Sequence, residues 1–435
     1  MKHILDLHIH SKYSRACSSA LTLPNIDAAC RIKGIDIIAT GDFTYPLWFK
    51  NIEDELEEIN GGGLYRLRNN IPRPRGAATP LNKGDLVKDI KFILSTEVAL
   101  IYKDGGPHAR RIHLVIMAPN IAAAKKLNEY LDKKFNIRSD GRPILGMSAP
   151  DLVKICLNIH PQFLIFPAHI WTPWFSVFGS KSGFDKMEEC FREQTKNIFA
   201  YETGLSSDPE MNWRLSALDD LTLLSNSDAH SLANLGRECN VFDLNDFSYQ
   251  EIYGIIKNKD LKKIIKTIEF YPEEGMYHFD GHAACGVSLS PEQTKKCKGI
   301  CPVCKKPLTI GVLNRVEELA DRPAGSKPKK SYPYIKLVEL DKIIAEALDL
   351  KSRSSKKVKA EYDRIIKNFG PELSILTDLP LEKMKEKVSP LIIEGIKRVR
   401  EEKLEIKPGF DGQYGEIKIF TAAEKAQGKA QKPLF

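Results

Sequence analysis

The sequence lacks the features of a membrane or secreted protein. No run of about 18 apolar residues occurs in its 435 residues, which excludes a membrane-spanning helix. The first residues, MKHILDLHIH, read as a strand rather than as the charged and apolar segments of a secretory signal. A glycine-rich dinucleotide-binding fingerprint is also missing. We therefore expect a soluble, cytoplasmic protein without a membrane partner.

Cysteine is sparse and its count is odd, which argues against a disulfide framework. Of nine cysteines, four lie between residues 285 and 304, where an H-x-x-C pair precedes a C-x-x-C pair. Two such pairs have the usual spacing of a structural zinc ribbon or knuckle. The sequence predicts a zinc ion held by four of five candidates: His282, Cys285, Cys297, Cys301 and Cys304. The alternative is a set of unrelated free thiols.

Positive charge exceeds negative charge, and the formal net charge is +8. Much of the excess lies in basic runs such as YRLRNNIPRPR, KKCKGICPVCKK, GSKPKKSYPYIK and KSRSSKKVK. One such run can equally be a solvated loop, but several together indicate a polyanionic partner. Nucleic acid is favoured over a membrane because no amphipathic apolar face accompanies these runs.

Seven apolar runs in the first 235 residues end in, or begin beside, a histidine or a carboxylate. They are DLHIHS, IIATGD, FILSTE, RIHLVI, FLIFPAHI, IFAYETG and LTLLSNSDAHS. Histidine and carboxylate bind zinc, manganese and iron, so we predict a site for more than one divalent ion. The candidate ligands are His8, His10, Asp42, Glu97, His113, His169, Glu202, Asp228 and His230.

The spacing within these runs strengthens the prediction. A single histidine in an apolar strand, such as His113 or His169 alone, is more often a core residue than a ligand. His8 and His10, however, are two residues apart and point to the same face of a strand. Asp228 and His230 repeat that spacing at the other end of the region. Burying so many ionisable groups without a cation would be costly, so we predict a metal site.

Strands and helices alternate over the same region, for example at DLHIHS, LPNIDAACRIKG and IDIIAT. This alternation predicts a parallel sheet closed, or nearly closed, into a (β/α) barrel with its chemistry at the carboxyl ends of the strands. His113 is an exception because it precedes its apolar run. Residues 60–84 have no clear period and are expected to form a long surface insertion.

The chain divides into four predicted parts. Residues 1–272 form the barrel domain, 273–325 the zinc-binding module, 326–420 a basic, α-helical DNA-binding domain, and 421–435 a flexible tail. The helical part could by its spacing alone equally be a protein-docking bundle. The tail ends in QKPLF, which resembles the short peptide that docks bacterial repair proteins on the sliding clamp. Its matching positions are Gln431, Leu434 and Phe435, and a chance match of five residues is the alternative.

The order of the ligand runs resembles the polymerase and histidinol phosphatase (PHP) superfamily, which comprises metal-dependent phosphoesterases on a distorted seven-stranded barrel. The resemblance implies one ion on His8, His10, Glu97 and Asp228. It implies a second ion on Glu97, His113 and His169, and a third to which Asp42 and His230 contribute. These residues would form the catalytic site, with zinc as one active-site ion and magnesium or manganese for catalysis.

Two positions depart from the superfamily pattern. SKYSRACS follows the opening HxH and lacks the usual histidine, and TGDFTYP replaces a threonine, aspartate, histidine triplet. The third ion is therefore expected to be weakly held, or to be completed by substrate phosphate. Arg15 and Tyr45 lie close to the cluster in sequence, and either a phosphate-binding or an ordinary packing role suits them.

Over nearly the whole chain the sequence resembles the endonuclease Q family of DNA repair enzymes. The resemblance rests on segments such as PAHIWTPWFSVFGSKSGFD, ETGLSSDPEMNWR, SNSDAHS and ICPVCKKPLTIGVLNRVEELADRPAG. It implies a monomeric, nucleoid-associated endonuclease that cuts double-stranded DNA on the 5′ side of uracil, hypoxanthine, xanthine and abasic sites. A DNA exonuclease, a small-molecule phosphoesterase and a non-catalytic DNA-binding adaptor are the alternatives.

Such an enzyme would extrude the damaged base, because deaminated bases pair poorly. The loop after His169 offers aromatic side chains that could stack on a base and polar ones that could meet a phosphate. The candidates for base or DNA contact are Arg15, Trp171, Trp174, Phe175, Ser180 and Lys181. Packing of the aromatic residues against the barrel rim is equally compatible with the sequence.

Overall fold

The computed structural model describes residues 1–72, 89–106, 108–421 and 424, and it has a mixed α/β fold. The strands of the described residues are β1 (Lys2–Asp6), β2 (Ile37–Ala39), β3 (Leu56–Glu58), β4 (Leu64–Leu67), β5 (Lys91–Ile93), β6 (Ser95–Lys103), β7 (Ala109–Met117), β8 (Ile144–Leu145), β9 (Leu164–Pro167), β10 (Ala200–Glu202), β11 (Thr222–Leu224), β12 (Cys239–Asp243), β13 (Ile264–Glu269), β14 (Asp280–His282), β15 (Val287–Leu289), β16 (Tyr334–Lys336), β17 (Glu405–Lys407) and β18 (Glu416–Lys418).

The described residues also form helices, of which the first covers the LPNIDAACRIKG segment predicted from sequence. They are α1 (Leu23–Lys33), α2 (Pro46–Glu55), α3 (Ile121–Asp132), α4 (Ala149–Ile159), α5 (Met187–Phe191), α6 (Pro209–Asn212), α7 (Tyr249–Asn258), α8 (Pro291–Lys296), α9 (Val312–Leu319), α10 (Leu340–Ala347), α11 (Lys356–Phe369), α12 (Glu372–Thr377) and α13 (Pro390–Arg400). None of these described helices has the length and apolar character needed to cross a bilayer.

The larger strands form two sheets. One has eight strands in the order β16-β13-β12-β1-β2-β5-β4-β3, and the other has four in the order β8-β6-β7-β9. Strands β10 and β11 form a separate parallel pair. The mixed α/β class predicted from sequence is confirmed, but the expectation of a wholly parallel sheet is wrong.

The departure from parallel pairing has a local cause. Strands β6 and β7 are joined by residues 104–108, and β7 pairs antiparallel with both β6 and β9. A parallel neighbour would need a crossover of about a dozen residues, which this connection is too short to supply. Because β7 runs in the opposite direction, His113 at its apolar start lies beside the end of β9, where the Ala168 amide donates to the His113 carbonyl. This reversal explains why His113 precedes its apolar run.

Strand β1 brings the first ligand run into the interior. Leu5, Leu7 and Ile9 alternate with side chains on the opposite face, and both faces are buried. Beyond β1, the chain continues as an extended segment that pairs with the SDAHS segment. The Asp228 amide donates to the His8 carbonyl, and the His10 amide donates to the Ala229 carbonyl. The two ends of the predicted barrel region are therefore adjacent.

Helix α1 shows how local sequence sets the boundaries. A proline stands in its first turn, and Gly34 ends it with φ of 90°, a left-handed conformation that favours glycine. A side chain at Gly34 would also place its Cβ 2.9 Å from Pro371, at the start of α12. Nearby, Lys33 forms a 2.6 Å ion pair with Glu372. The α-helical C-terminal region therefore packs directly on α1.

Contacts also cross the predicted domain boundaries. Strand β16, from the region assigned to the helical domain, pairs in parallel with β13 of the large sheet. Asp411 accepts hydrogen bonds from the Ala283 amide at 2.6 Å and from the Thr309 hydroxyl at 2.6 Å, so the segment that contains Asp411 packs against the zinc-module region. The parts defined by sequence pack closely against one another.

Two sequence predictions fall partly or wholly outside the described residues. Within the segment predicted as an insertion, β4 pairs with β3 and β5, so its first part belongs to the large sheet, contrary to that prediction. Its remainder beyond residue 72 lies outside the described part of the chain, as do Gln431, Leu434 and Phe435.

Candidate metal centre

The ligand candidates from both ends of the barrel region converge on one point. His10 Nε2 lies 3.0 Å from Asp228 Oδ1 and 3.3 Å from Glu97 Oε2. His8 Nε2 lies 3.8 Å from each of the same two oxygens. The HxH pair, the acid of the third run and the closing DAH segment are therefore brought together, as expected from the sequence.

Three groups of side chains in this region have ligand atoms close enough to share an ion. In each group all ligand atoms lie within 4.8 Å of one another. The groups are His8, His10 and Glu97; His10, Asp228 and His230; and Glu97, His113 and His169. His10 and Glu97 each belong to two groups, which is the arrangement expected of neighbouring ions that share ligands.

Unpaired buried atoms test whether the cluster fits a cation. His8 Nε2, His10 Nε2 and Asp228 Oδ1 are buried and form no hydrogen bond. A buried polar atom without a partner costs free energy, and such atoms are rare in native proteins. All three point into the same group of side chains, and their nitrogen and oxygen donors suit a divalent ion. The side chains of this cluster are therefore suited to bind a divalent metal ion.

The electrostatics of the cluster are dominated by its carboxylates. Burial alone would lower the pKa of His8, but Glu202 and Glu97 outweigh it, so the His8 pKa lies well above its usual value. Burial would raise the pKa of Glu97, yet His113 and Arg142 hold it well below its ordinary value. The carboxylate thus remains ionised, which a metal ligand requires.

Two predicted ligands lie behind the histidines instead of among the ligand groups. Glu202 places both carboxylate oxygens 3.1 Å from His8 Nδ1, and it also accepts the His169 amide at 2.8 Å. Asp42 places Oδ1 3.0 Å from His10 Nδ1. These carboxylates contact the ring Nδ1 atoms and leave each Nε2 facing the cluster, an arrangement typical of groups that orient metal-binding histidines. Direct coordination of metal by Asp42 or Glu202 stays a prediction.

Glu97 connects the group of His8 and His10 to a second pair of histidines, His113 and His169. Its Oε1 lies 2.8 Å from His113 Nδ1 and 3.2 Å from His169 Nε2. The other ring nitrogen of His169 lies 3.1 Å from the hydroxyls of both Ser176 and Thr172. These hydroxyls orient the ring, and no sequence pattern links them to His169 in advance.

Backbone strain coincides with the site. His169, Asp42 and Asp228 have positive φ values of 29°, 47° and 44°, although none of them is glycine. This conformation is disfavoured for residues with a Cβ and persists where the surrounding structure imposes it, often at functional sites. The backbone of Gly141 also lies very close to this site. A Cβ at this position would lie 2.5 Å from Asp42 Oδ2, which only glycine avoids.

His230 is the most accessible histidine of the cluster. Its Nδ1 lies 3.7 Å from Asp228 Oδ1, its ring packs 4.7 Å from that of His10, and it is half-buried. Burial lowers its pKa despite the neighbouring Asp228 carboxylate. The group that contains His230 therefore forms the side of the cluster that faces solvent.

Arg142 is a site residue that the sequence reasoning missed. Its Nη1 lies 3.1 Å from Glu97 Oε2, and its side chain is 24% exposed while Glu97 is fully buried. Arg142 lies in a loop, outside every apolar run, so the pattern that revealed the ligands could not reveal it.

The candidates for DNA contact differ in exposure. Trp171 is only 1% exposed, packs 5.0 Å from Phe178 and donates its indole N–H to Asn212 at 2.8 Å, so it is a core residue and the prediction of base contact is wrong. Trp174 is 41% exposed, and its ring lies 5.7 Å from that of Tyr277. Phe175 is half-buried, with its ring 4.5 Å from His113.

The polar candidates lie at the surface. Ser180 and Lys181 are exposed and line a pocket of about 310 Å³ together with Arg110 and Arg315. Arg15 is exposed, and its amide donates to Asp140. Tyr45 stacks on Tyr13 with ring centroids 4.6 Å apart, which is a packing role.

The second predicted metal site is also assembled. The ligand atoms of His282, Cys285, Cys301 and Cys304 lie within 4.8 Å of one another, and His282 Nδ1 is 3.6 Å from Cys304 Sγ. Cys297, the fifth candidate, is outside this group and donates instead to the Thr294 carbonyl at 3.3 Å. One histidine and three thiolates make a usual set of zinc ligands.

Known proteins resemble the chain over different lengths. A family model, the MJ0043 C-terminal domain, matches residues 339–403. The uncharacterized protein YqxK of Bacillus subtilis is 29% identical over 95% of this chain and 98% of its own length. The uncharacterized protein MJ0043 of Methanocaldococcus jannaschii is 34% identical over 57% of this chain, and the match spans only 31% of that relative.

Two solved structures match almost the whole chain. The lesion-specific endonuclease PfuEndoQ from Pyrococcus furiosus is 31% identical, with a TM-score of 0.81 over 96% of this chain and 95% of its own. Endonuclease Q in complex with a 27-mer duplex containing an abasic lesion is 32% identical, with a TM-score of 0.80 over 97% of both chains.

The fold and its matches define the class of protein, because the two structural neighbours described above are DNA endonucleases. Within that class, the chain belongs to the endonuclease Q family.

Proposed function

We propose that the protein is a metal-dependent endonuclease that cuts double-stranded DNA on the 5′ side of deaminated bases, namely uracil, hypoxanthine and xanthine, and of abasic sites. The observation that carries the proposal is the convergence of three ligand groups through His10 and Glu97, in a chain that matches a structure solved with a lesion-containing duplex. Such a cluster needs no protein nucleophile, which suits hydrolysis of a phosphodiester.

The residues have distinct roles in this proposal. His8, His10, Glu97, His113, His169, Asp228 and His230 would hold the ions, while Asp42 and Glu202 orient the first two histidines. Bound divalent ions, zinc with magnesium or manganese, would activate water and neutralise charge on the leaving oxygen. The burial of Glu97 and its neighbours keeps bulk water away from most of the cluster and strengthens its electrostatics.

The remaining parts would direct this chemistry to damaged DNA. In the proposed division, residues 1–272 form a seven-stranded PHP barrel that carries the site, and 273–325 form a zinc-stabilised module. Residues 326–420 form a basic DNA-binding domain. Binding of the QKPLF tail to a sliding clamp, nucleoid association and a monomeric state remain predictions.

Base recognition is proposed to require extrusion of the damaged base from the duplex. Trp174 is the best-placed aromatic candidate, because it is exposed and its carbonyl accepts the hydroxyl of Thr172, which also lies 3.1 Å from His169. Lys181 and Ser180 are proposed to meet a flanking phosphate. The hydrogen bonds of Thr172 tie the backbone of Trp174 to the ring of His169, which supports this choice.

A nicking assay tests the proposed function. The substrate is a duplex with one internal uracil, both ends of each strand blocked and a label on the uracil strand. With magnesium or manganese, the wild type is expected to give one cut 5′ of uracil, the chelated protein none and His8→Ala none. His160→Ala, which alters a histidine outside the ligand groups, should cut normally.

Other outcomes would favour other functions. Degradation only when the ends are left free would indicate an exonuclease. Hydrolysis of small phosphomonoesters without any DNA cleavage would indicate a small-molecule phosphoesterase. Tight binding of the duplex without cleavage, whether magnesium or manganese is added, would indicate a DNA-binding adaptor.

A further inference from the structure

Arg142 is a positively charged side chain in direct contact with the candidate metal centre. Among the described residues, it is the one arginine or lysine that forms an ion pair with a carboxylate of the ligand groups. The oxygen it contacts, Glu97 Oε2, is the same oxygen that faces the Nε2 atoms of His8 and His10. The guanidinium therefore lies beside the position that an ion would occupy.

The loop that carries Arg142 is held in place on several sides. The Arg142 amide donates to Asp140 Oδ1 at 2.9 Å, and the Gly141 amide donates to the Tyr13 carbonyl at 3.0 Å. On the other side, the Ala99 amide donates to the Pro143 carbonyl, just before β8 pairs with β6. The loop is thereby tied both to the segment after the HxH pair and to the strand that bears Glu97.

The fit around Gly141 fixes the loop further. A Cβ at this position would lie 2.4 Å from Ser14 Oγ and 2.5 Å from Asp42 Oδ2, so the backbone must approach those atoms closely. Arg142 therefore starts from a fixed backbone, and only its side chain has freedom to move. A guanidinium placed in this way loses little conformational entropy when it binds a ligand.

An ion on Glu97 would change the surroundings of Arg142. One carboxylate oxygen cannot fully neutralise both a divalent ion and a guanidinium, so the arginine would keep unused donors at the partly exposed side of the cluster. The planar fork of N–H groups matches the geometry of phosphate oxygens and forms strong, charge-assisted hydrogen bonds with them.

We infer that Arg142 binds the non-bridging oxygens of the phosphodiester that is cut, and that its pair with Glu97 is the arrangement of the site without substrate. This inference rests on the proposed function, since it takes the ligand to be a DNA phosphodiester. The competing role for Arg142 is structural, as a charge partner that only keeps Glu97 ionised.

Two variants and a matched control separate these roles. Arg142→Met removes the guanidinium while keeping an unbranched, apolar stem, and Arg142→Lys keeps the charge but removes the planar set of N–H donors. Arg138→Met alters an exposed arginine of the same loop whose Nε pairs with Asp132 at 3.1 Å. Each protein is measured for bound metal by elemental analysis and for cleavage of uracil duplexes with Rp or Sp phosphorothioate at the cut position.

Phosphate binding predicts a specific pattern. Arg142→Met should retain its metal and lose about 100- to 1000-fold in kcat/KM, as when one donor to a transition-state oxygen is removed. The preference of the wild type between the two phosphorothioates should shrink in this variant, and Arg142→Lys should recover part of the rate. Arg138→Met should match the wild type in all three measurements.

Other results would overturn the inference. Unchanged cleavage by Arg142→Met would do so. Loss of metal from this variant, together with an unchanged phosphorothioate preference, would also do so, because that result would show that Arg142 is only a charge partner of Glu97. If Arg142→Met does not fold, Arg142→Lys provides the test. A wild-type cleavage rate and phosphorothioate preference in Arg142→Lys would exclude phosphate recognition by the planar guanidinium. Failure of the wild type to nick uracil duplex would instead overturn the proposed function itself.

Discussion

Asp42 and His10 form a fully buried pair in which the carboxylate Oδ1 lies 3.0 Å from the ring Nδ1. The second carboxylate oxygen accepts the amide and hydroxyl of Ser11, both at 2.7 Å, and the hydroxyl of Ser14 at 2.8 Å. Both carboxylate oxygens of Asp42 are therefore hydrogen-bonded, and the one that faces His10 holds the imidazole with Nε2 toward the cluster.

Asp42→Asn should weaken metal binding while leaving most of this hydrogen-bonded shell in place. The neutral amide cannot support a ligating imidazole as a carboxylate does, and partners of this kind are typically worth about 10- to 100-fold in metal affinity or activity. Metal titration of stripped protein measures the change. Asp54→Asn, an exposed position on α2, is the control. Equal affinities in the two variants would contradict the role of Asp42.

Cys301→Ser should lose the structural zinc, whereas Cys297→Ser should keep it. Cys301 belongs to the group with His282, Cys285 and Cys304, while Cys297 donates to a backbone carbonyl outside it. Zinc content per chain, measured after removal of loosely bound metal, compares the two serine variants directly. Since structural zinc supports local folding, Cys301→Ser should also lower the melting temperature. Loss of zinc from Cys297→Ser would show that the four-ligand assignment is wrong.

Trp174→Ala should reduce cleavage of uracil duplex without destabilising the protein. The side chain is 41% exposed and its ring lies 5.7 Å from that of Tyr277, so its removal costs modest packing, whereas stacking on a base contributes about 1–3 kcal/mol. Trp174→Phe, which keeps an aromatic face, should restore most of the activity. Cleavage rates and melting temperatures of both variants test this, and wild-type cleavage by Trp174→Ala would remove Trp174 from base recognition. Trp171 is unsuitable for this test because it is buried.

The buried pair Glu238 and Glu269 should make the protein less stable as pH rises. Burial raises the pKa of Glu269 from 4.5 to about 8, despite hydrogen bonds from Thr267 and Ser225, and burial with the Glu269 charge raises that of Glu238. A carboxyl with a raised pKa binds more protons when folded than when unfolded. The contribution of Glu269 is therefore fully present below about pH 4.5 and declines toward about pH 8, by at most about 1.4 kcal/mol per pH unit. Glu238, whose pKa is also raised, changes stability in the same direction.

Urea unfolding at pH 6 and pH 8.5, with metal content held constant, measures this slope. Glu269→Gln removes one titrating group and should flatten the decline in the free energy of unfolding. Glu386→Gln, at an exposed position, should leave it as in the wild type. An unchanged slope in Glu269→Gln would contradict the assignment.

The sequence predicted the site best where the candidate ligands and the strands are marked by the same apolar runs. The apolar runs fixed the candidate ligands, because each run supplies a buried strand and a polar residue at or near one end of it. Helices such as α1 were predicted because proline and glycine mark their ends in the chain itself. The cluster of His8, His10, Glu97 and Asp228 could therefore be proposed before its geometry was known.

The rest depends on contacts between distant segments. Whether a carboxylate binds metal or orients a histidine depends on its side-chain direction, so the contacts of Asp42 and Glu202 with the Nδ1 atoms of His10 and His8 could not be predicted from the sequence. Trp171 and Trp174 lie three residues apart in one loop, yet one is buried and the other exposed. Arg142 reaches Glu97 across 45 residues of sequence, and no local periodicity encodes that approach.

The most direct test of the central claim is nicking of the end-blocked uracil duplex during metal titration of stripped protein. We predict no cleavage without metal, and a single cut 5′ of uracil whose rate rises as the cluster fills. We also predict that His10→Gln, which alters a residue shared by two ligand groups, stays inactive at the metal concentration that saturates the wild type. Cleavage by the metal-free protein, or an intact duplex when the wild-type cluster is full, would contradict the central claim.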